Sequence, residues 1–85
     1  MVYNRISTFR VERGLSRKEL AERIGVNPQT VGYLERGDYS PSVELALKLS
    51  EVFEVRVDRL FSLRPFPSLA QEIGDPLPPS QGKDQ

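Results

Sequence analysis

Between Asn27 and Gly37 the chain sets out a carboxamide, a hydroxyl and a phenol: Gln29, Thr30 and Tyr33. On a helix these three project from one face while Val31, Leu34 and Glu35 project from the other, so one face can pack while the other reads. Gln29 is suited to pair bidentately with an adenine edge, which for a good pair is worth about 1 to 3 kcal/mol of discrimination. Tyr33 can donate to a phosphate or pack on a thymine methyl. Such groups recognise; they do not break bonds. Catalysis has little else to draw on, because no nucleophile is matched with a base and no glycine loop is shaped to cradle a phosphate. Glu51 and Glu54 are neighbours on a helix and read as a solvated face. With no cysteine and no histidine, a disulfide framework and a zinc site are both excluded, and no cofactor is expected.

That reading face needs a scaffold. A chain of 85 residues, 38% hydrophobic and 28% charged, can bury one modest core, so a single folding unit is expected. Apolar residues recur at spacings of three and four between short turn signals, which predicts a string of short helices. The first carries Ile6, Phe9, Arg10 and Arg13 on one face and ends before Gly14. The second starts at Ser16 as N-cap, with Glu19 closing a capping box and Leu15 stapled to Leu20, and buries Leu20, Ala21 and Ile24. Gly25 ends it. Asn27 then caps a third helix that opens at Pro28, pairs Val26 with Val31, and stops at Gly37. Ser42 caps a fourth helix with the apolar stripe Leu45, Ala46, Leu49, Val52 and Phe53, and a short fifth, Val57 to Leu63, adds Val57, Leu60 and Phe61 to the same core. Five of the seven prolines follow Leu63, so residues 1-63 read as the body and 64-85 as a Pro-rich extension.

Two short helices joined by a three-residue turn containing glycine, here within residues 16-36, have the geometry of a helix-turn-helix. Ala21 is small where the two helices cross, Gly25 permits the reversal, and Val31 with Leu34 locks them together. The segment LSRKELAERIGVNPQTVGYLERGDYSPSVELALKLSEVFEV resembles the Cro/CI-type, or lambda-repressor-like, domains of the XRE family, a likeness that covers residues 4 to 63. VNPQTVGYLERG followed by SPSVELALKLS carries most of it. The resemblance implies an all-α, compact five-helix fold that binds double-stranded DNA as a symmetric homodimer. It also implies that Asn27, Gln29, Thr30 and Tyr33 lie on the DNA-facing side of the third helix, and that Arg17 matches a phosphate-contacting position.

Capping and local hydrogen bonding explain Asn27 and Thr30 equally well without a ligand. Helix N-termini attract phosphate, so Arg17 and the amides near Ser16 are candidates to clamp one strand, and the loop from Arg36 through Tyr39 to Ser40 to clamp another. The net charge of zero carries no global nucleic-acid signature, although residues 1 to 37 hold seven Lys or Arg against four acids. Gly32, inside the third helix, costs about 1 kcal/mol relative to alanine and is read as serving close approach to DNA. Pro28 removes a donor there, which shortens the list of direct base contacts and leaves part of the preference to DNA shape. Arg10 and Glu35 each take an apolar-face slot, and buried charges need partners, so they are expected to pair, as the resemblance also suggests.

Met1 to Tyr3 and Ser62 to Phe66 are expected to pair as a small antiparallel ribbon, with the ribbon or the fifth helix forming the dimer contact. Ser68 to Gly74 has the pattern of one helical turn, and DPLPPSQGKDQ that of a disordered tail. No apolar stretch approaches the roughly 18 residues of a membrane span, and MVYNRISTFR lacks the apolar core of a signal peptide, so a cytoplasmic protein is expected. The expected function is operator binding and transcriptional regulation. Two other readings stay open: an antitoxin-like protein whose C-terminal segment binds a partner protein, and a protein-interaction module without DNA binding.

Overall fold

The computed structural model describes residues 2–67. Short polar residues open three of its helices and left-handed residues close them. In α2 (Arg17–Ile24) the Ser16 hydroxyl accepts from the Glu19 amide at 3.0 Å, and the Ser16 amide donates back to the Glu19 carboxylate at 2.8 Å. Gly25, at φ 75°, turns the chain. Asn27 then accepts from the Gln29 amide at 2.8 Å to start α3 (Pro28–Arg36), with Pro28 where no amide donor is needed. Ser42 does the same for α4 (Val43–Phe53), accepting from Leu45 at 3.1 Å.

Two termini are closed in other ways. α1 (Ile6–Glu12) has no side-chain cap from Arg5. Asn4 serves instead, its carbonyl accepting from the Ile6 amide while its amino group donates 2.8 Å to the Leu34 carbonyl at the far end of α3. The end of α4 is left-handed at Glu54, φ 57°, without a glycine. The strain, about 1 to 2 kcal/mol for a residue with a Cβ, is offset because Glu54 donates to the Ser50 and Glu51 carbonyls, Val55 donates to the Ser50 carbonyl, and the Ser50 hydroxyl donates to the Val55 carbonyl. Val55 thereby reaches the core.

Ile6, Leu20, Ala21, Ile24, Val31, Leu34, Leu49, Phe53 and Leu60 form that core, with Phe9, Leu15, Val26, Leu45, Val52, Val55 and Phe61 packed around it. α2 packs on α3 and α4, and α1 closes the far side against the same two helices. Ala46 and Val57, both expected inside, are half-buried at the edge.

The last helix is shorter than its pattern suggested. α5 spans Val57–Leu60, and Phe61 leaves it as the first residue of a strand. That strand, β2 (Phe61–Ser62), pairs antiparallel with β1 (Tyr3–Asn4) in the register Tyr3 with Ser62 and Asn4 with Phe61. A ribbon therefore forms, shifted inward from the ends proposed for it. The register is set by Leu60, which is fully buried and whose carbonyl accepts from the Arg5 amide at 2.9 Å, so the crossing point lies just beyond it. The expected turn at Ser68 to Gly74 and the tail beyond it lie outside the described residues. Among the described residues no helix is long and apolar enough to cross a membrane.

The capping box makes stability depend on pH. Hydrogen bonds from the Ser16 amide, then from its hydroxyl, hold the Glu19 carboxyl below its ordinary value, with Arg23 adding a smaller pull the same way. Because folding lowers this pKa, the contribution is present above the ordinary carboxylate range and is lost as pH falls through the folded value. Melting followed from neutral to acid pH should show a smaller acid-side decline for Glu19→Gln than for wild type. Ser16→Ala, which removes the acceptor, should cost about 1 kcal/mol at neutral pH in urea denaturation.

Candidate nucleic-acid interface

α3 has two faces because it is wedged against α2 along one side only. Val31 and Leu34 are buried there, while Gln29 and Tyr33 point outward, Tyr33 with 45% of its surface exposed. Arg17 enters from the start of α2 and Arg36 from the last turn of α3. With Pro28, Gln29, Gly32 and Tyr33 they line one open cleft of about 300 Å³. Both arginine side chains are about half exposed, at 52% and 53%.

Each guanidinium is held. Arg36 Nε donates to the Asp38 carboxylate at 3.0 Å, and its guanidinium carbon lies 5.1 Å from the Tyr33 ring centroid. Arg17 Nε donates to Glu35 Oε1 at 3.0 Å. The other oxygen of that carboxylate, Oε2, accepts from Arg10 Nε at 2.5 Å, and Arg10 Nη1 goes on to the Leu15 carbonyl at 2.8 Å. Glu35 is thus shared between a sheltered arginine and an exposed one: its side chain is 4% exposed, that of Arg10 15%. A carboxylate so far from water needs both of its oxygens met, and the two arginines do so.

Of the other residues singled out, Asn27 is exposed and spends its carbonyl on the cap of α3. Thr30 is half-buried, and Tyr39 and Ser40 occupy the exposed loop after α3; none of the four lines the cleft. Gly32 forms part of the cleft floor but is itself buried beneath the two arginines: a Cβ built on it would meet Arg36 Nη1 at 3.4 Å and Arg17 Nη1 at 3.8 Å. The bond from Arg17 to Glu35 escaped the sequence reading, which assigned Arg17 to phosphate alone. Its trace was there: one buried carboxylate has two oxygens, and a single arginine partner leaves one to be satisfied.

A helix-turn-helix family model matches residues 6–60, which take in the five helices of the described residues and the cleft. The chain belongs to the XRE-type helix-turn-helix family of DNA-binding transcriptional regulators. An uncharacterized HTH-type transcriptional regulator of Archaeoglobus fulgidus is 44% identical over 57 residues, 67% of this chain and 81% of that protein. The HTH-type regulator YgzD of Bacillus subtilis is 40% identical over 60 residues, 71% of this chain and 91% of that one. Among solved structures, a protein of Bacteroides fragilis with a provisional DNA-binding name superposes with a TM-score of 0.66 at 26% identity, over 73% of this chain and all of its own. In this helix-turn-helix, Gly25, Val26 and Asn27 make the turn, and the Glu35 network ties the far end of α3 back to α1 and to the start of α2.

Glu35→Ala should destabilise the fold by about 3 to 5 kcal/mol, since it strands sheltered Arg10. Arg17→Ala should cost less than about 1 kcal/mol, because that partner is half in water. Urea denaturation of single and double variants measures both couplings. A cycle in which Arg10 and Glu35 act independently would remove this account of the network.

Proposed function

We propose that this chain regulates transcription by laying α3 in the major groove of duplex DNA, with Gln29 and Tyr33 as the principal sequence-reading side chains. The observation that carries the reading is the division of α3. Val31 and Leu34 are fully committed to the core, whereas Gln29 and Tyr33 are exposed in a cleft flanked by two half-exposed arginines, one of which lies over the Tyr33 ring. Arg17 and Arg36 supply phosphate contacts, which position the protein without specifying sequence. Asn27 and Thr30, at the start of the same helix, and Tyr39 and Ser40, in the following loop, are auxiliary contacts along the backbone. Residues 1-63 are the DNA-binding unit and 64-85 an extension to it, and the protein works in the cytoplasm.

The working form is a homodimer that sets two copies of α3 in successive major grooves about 34 Å apart on a pseudo-palindromic operator. The side of the molecule built from the ribbon and α5 supports this. Val2, Val57, Phe61 and Leu63 line a largely apolar groove there of about 510 Å³, with Leu63 79% exposed.

Selection of bound sequences from a random duplex library at near-physiological salt tests the reading. Wild type should enrich a palindrome whose half-sites lie about one helical turn apart, and the variant carrying Gln29→Ala with Tyr33→Ala should lose or relax that preference while staying folded. A folded wild type that enriches no site would transfer the function to protein recognition. Leu63→Asp should shift the protein toward monomer in sedimentation equilibrium, and an unchanged assembly state would place the dimer contact elsewhere.

A further inference from the structure

Glycine in the middle of α3 is costly for a helix, and its neighbours show what it does instead. The two guanidinium groups of the cleft converge above Gly32, their Nη1 atoms 3.4 Å and 3.8 Å from where a Cβ would sit. Those distances place the two nitrogens no more than about 7 Å apart, each a charge-assisted donor with a preferred bond length of about 2.8 Å. A single phosphate group, taking one bond from each side, can bridge gaps up to that size.

The tethers leave donors free for it. Arg17 uses Nε on Glu35, and Arg36 uses Nε on Asp38, so in both cases the outer edge of the guanidinium remains directed away from the anchoring carboxylate. Tyr33, stacked at 5.1 Å under Arg36, and Glu35, anchored by Arg10, hold the two arms from opposite ends. What keeps the floor between them clear is the missing side chain at position 32.

We propose that Gly32 is a positioning residue: the absence of a long side chain at position 32 lets Arg17 and Arg36 close over α3 as a two-armed clip for one DNA backbone phosphate. The inference rests on the DNA-binding reading above and adds to it a residue that touches neither base nor phosphate. A Cβ alone fits, since 3.4 Å and 3.8 Å are ordinary van der Waals separations. Anything longer occupies the volume that the guanidinium groups now fill and forces them apart. The requirement is therefore for the absence of a long side chain, not for the conformational freedom of glycine, since the residue has ordinary helical geometry.

Two variants separate this from the alternatives. Gly32→Ala should melt higher than wild type, because alanine favours the helix, and should bind a mixed-sequence duplex at low salt within about twofold of wild type, because no phosphate contact is lost. Gly32→Leu, an equally good helix former without charge or donors, should keep the circular dichroism of the fold. It should nonetheless bind that duplex about tenfold more weakly, with the slope of log affinity against log salt reduced by about one for each α3 engaged. In the Arg17→Gln, Arg36→Gln background the leucine should have no further effect, since there is no clip left to open. Leucine binding with wild-type affinity and slope overturns the inference while leaving the DNA reading intact. So does alanine as damaging as leucine, which would mean that DNA itself needs the bare backbone, and so does a leucine effect that adds in full to the double arginine variant. A wild type that binds no duplex at any salt overturns the DNA reading and the clip together.

Discussion

A carboxylate removed from water is unfavourable until cations and donors replace the solvent it has lost, and in this fold that carboxylate belongs to Glu35. It sits in the last turn of α3, and meeting its needs requires three pieces of chain to be in place at once. Arg10 must come from α1, Arg17 must come from the start of α2, and Arg10 must in addition find the Leu15 carbonyl in the loop between them. No two of these helices can slide independently without leaving one charge short of a partner. An apolar core alone tolerates small shifts because dispersion is non-directional; a network of directional hydrogen bonds from two arginines does not. The relative placement of α2 and α3, which line the cleft together, is thereby set by chemistry at the far end of α3 as well as by the packing of Leu20, Ala21, Val31 and Leu34.

The same network has an outward side. Arg10 is sheltered and serves the fold, whereas Arg17 is half exposed and connects the buried charge to the cleft where α3 meets solvent. Across that cleft Arg36 is held in a parallel way by Asp38 and the Tyr33 ring. Tethering each guanidinium lowers the entropy it would lose on meeting an anion, which is the general benefit of preorganisation. It also reconciles a net charge of zero with an interface for a polyanion. The acids that balance these arginines lie behind or beside them, so the donors that face outward carry local positive potential even though the chain as a whole is neutral.

The ends of the body are closed by different means. Asn4 bridges β1 to both the start of α1 and the end of α3, and the two-residue ribbon with Phe61 and Ser62 brings the first and last described elements together beside α5. This arrangement leaves an apolar groove on the side of Leu63 and a polar cleft on the side of Gln29. The two surfaces lie on different elements, the groove beside α5 and β2 and the cleft along α2 and α3.

What the sequence determined by itself was whatever depends on residues within about one helical turn of each other. The capping box of Ser16 and Glu19, the Asn27 cap before Pro28, the reversals at Gly25 and Gly37, and the inward stripe of Leu20, Ala21, Ile24, Val31 and Leu34 are all of this kind, and from them the motif and the face of α3 that bears Gln29 and Tyr33 follow. The tertiary structure alone decided what depends on groups far apart in the chain. Arg17 meets Glu35 across 18 residues, and Asn4 meets Leu34 across 30. Gly32 is covered by side chains from two helices, and the left-handed Glu54 delivers Val55 to the core. The ribbon's register was likewise out of reach of the local pattern, since a two-residue strand has too little alternation to specify its partner, and it is the burial of Leu60 that sets where the strands cross.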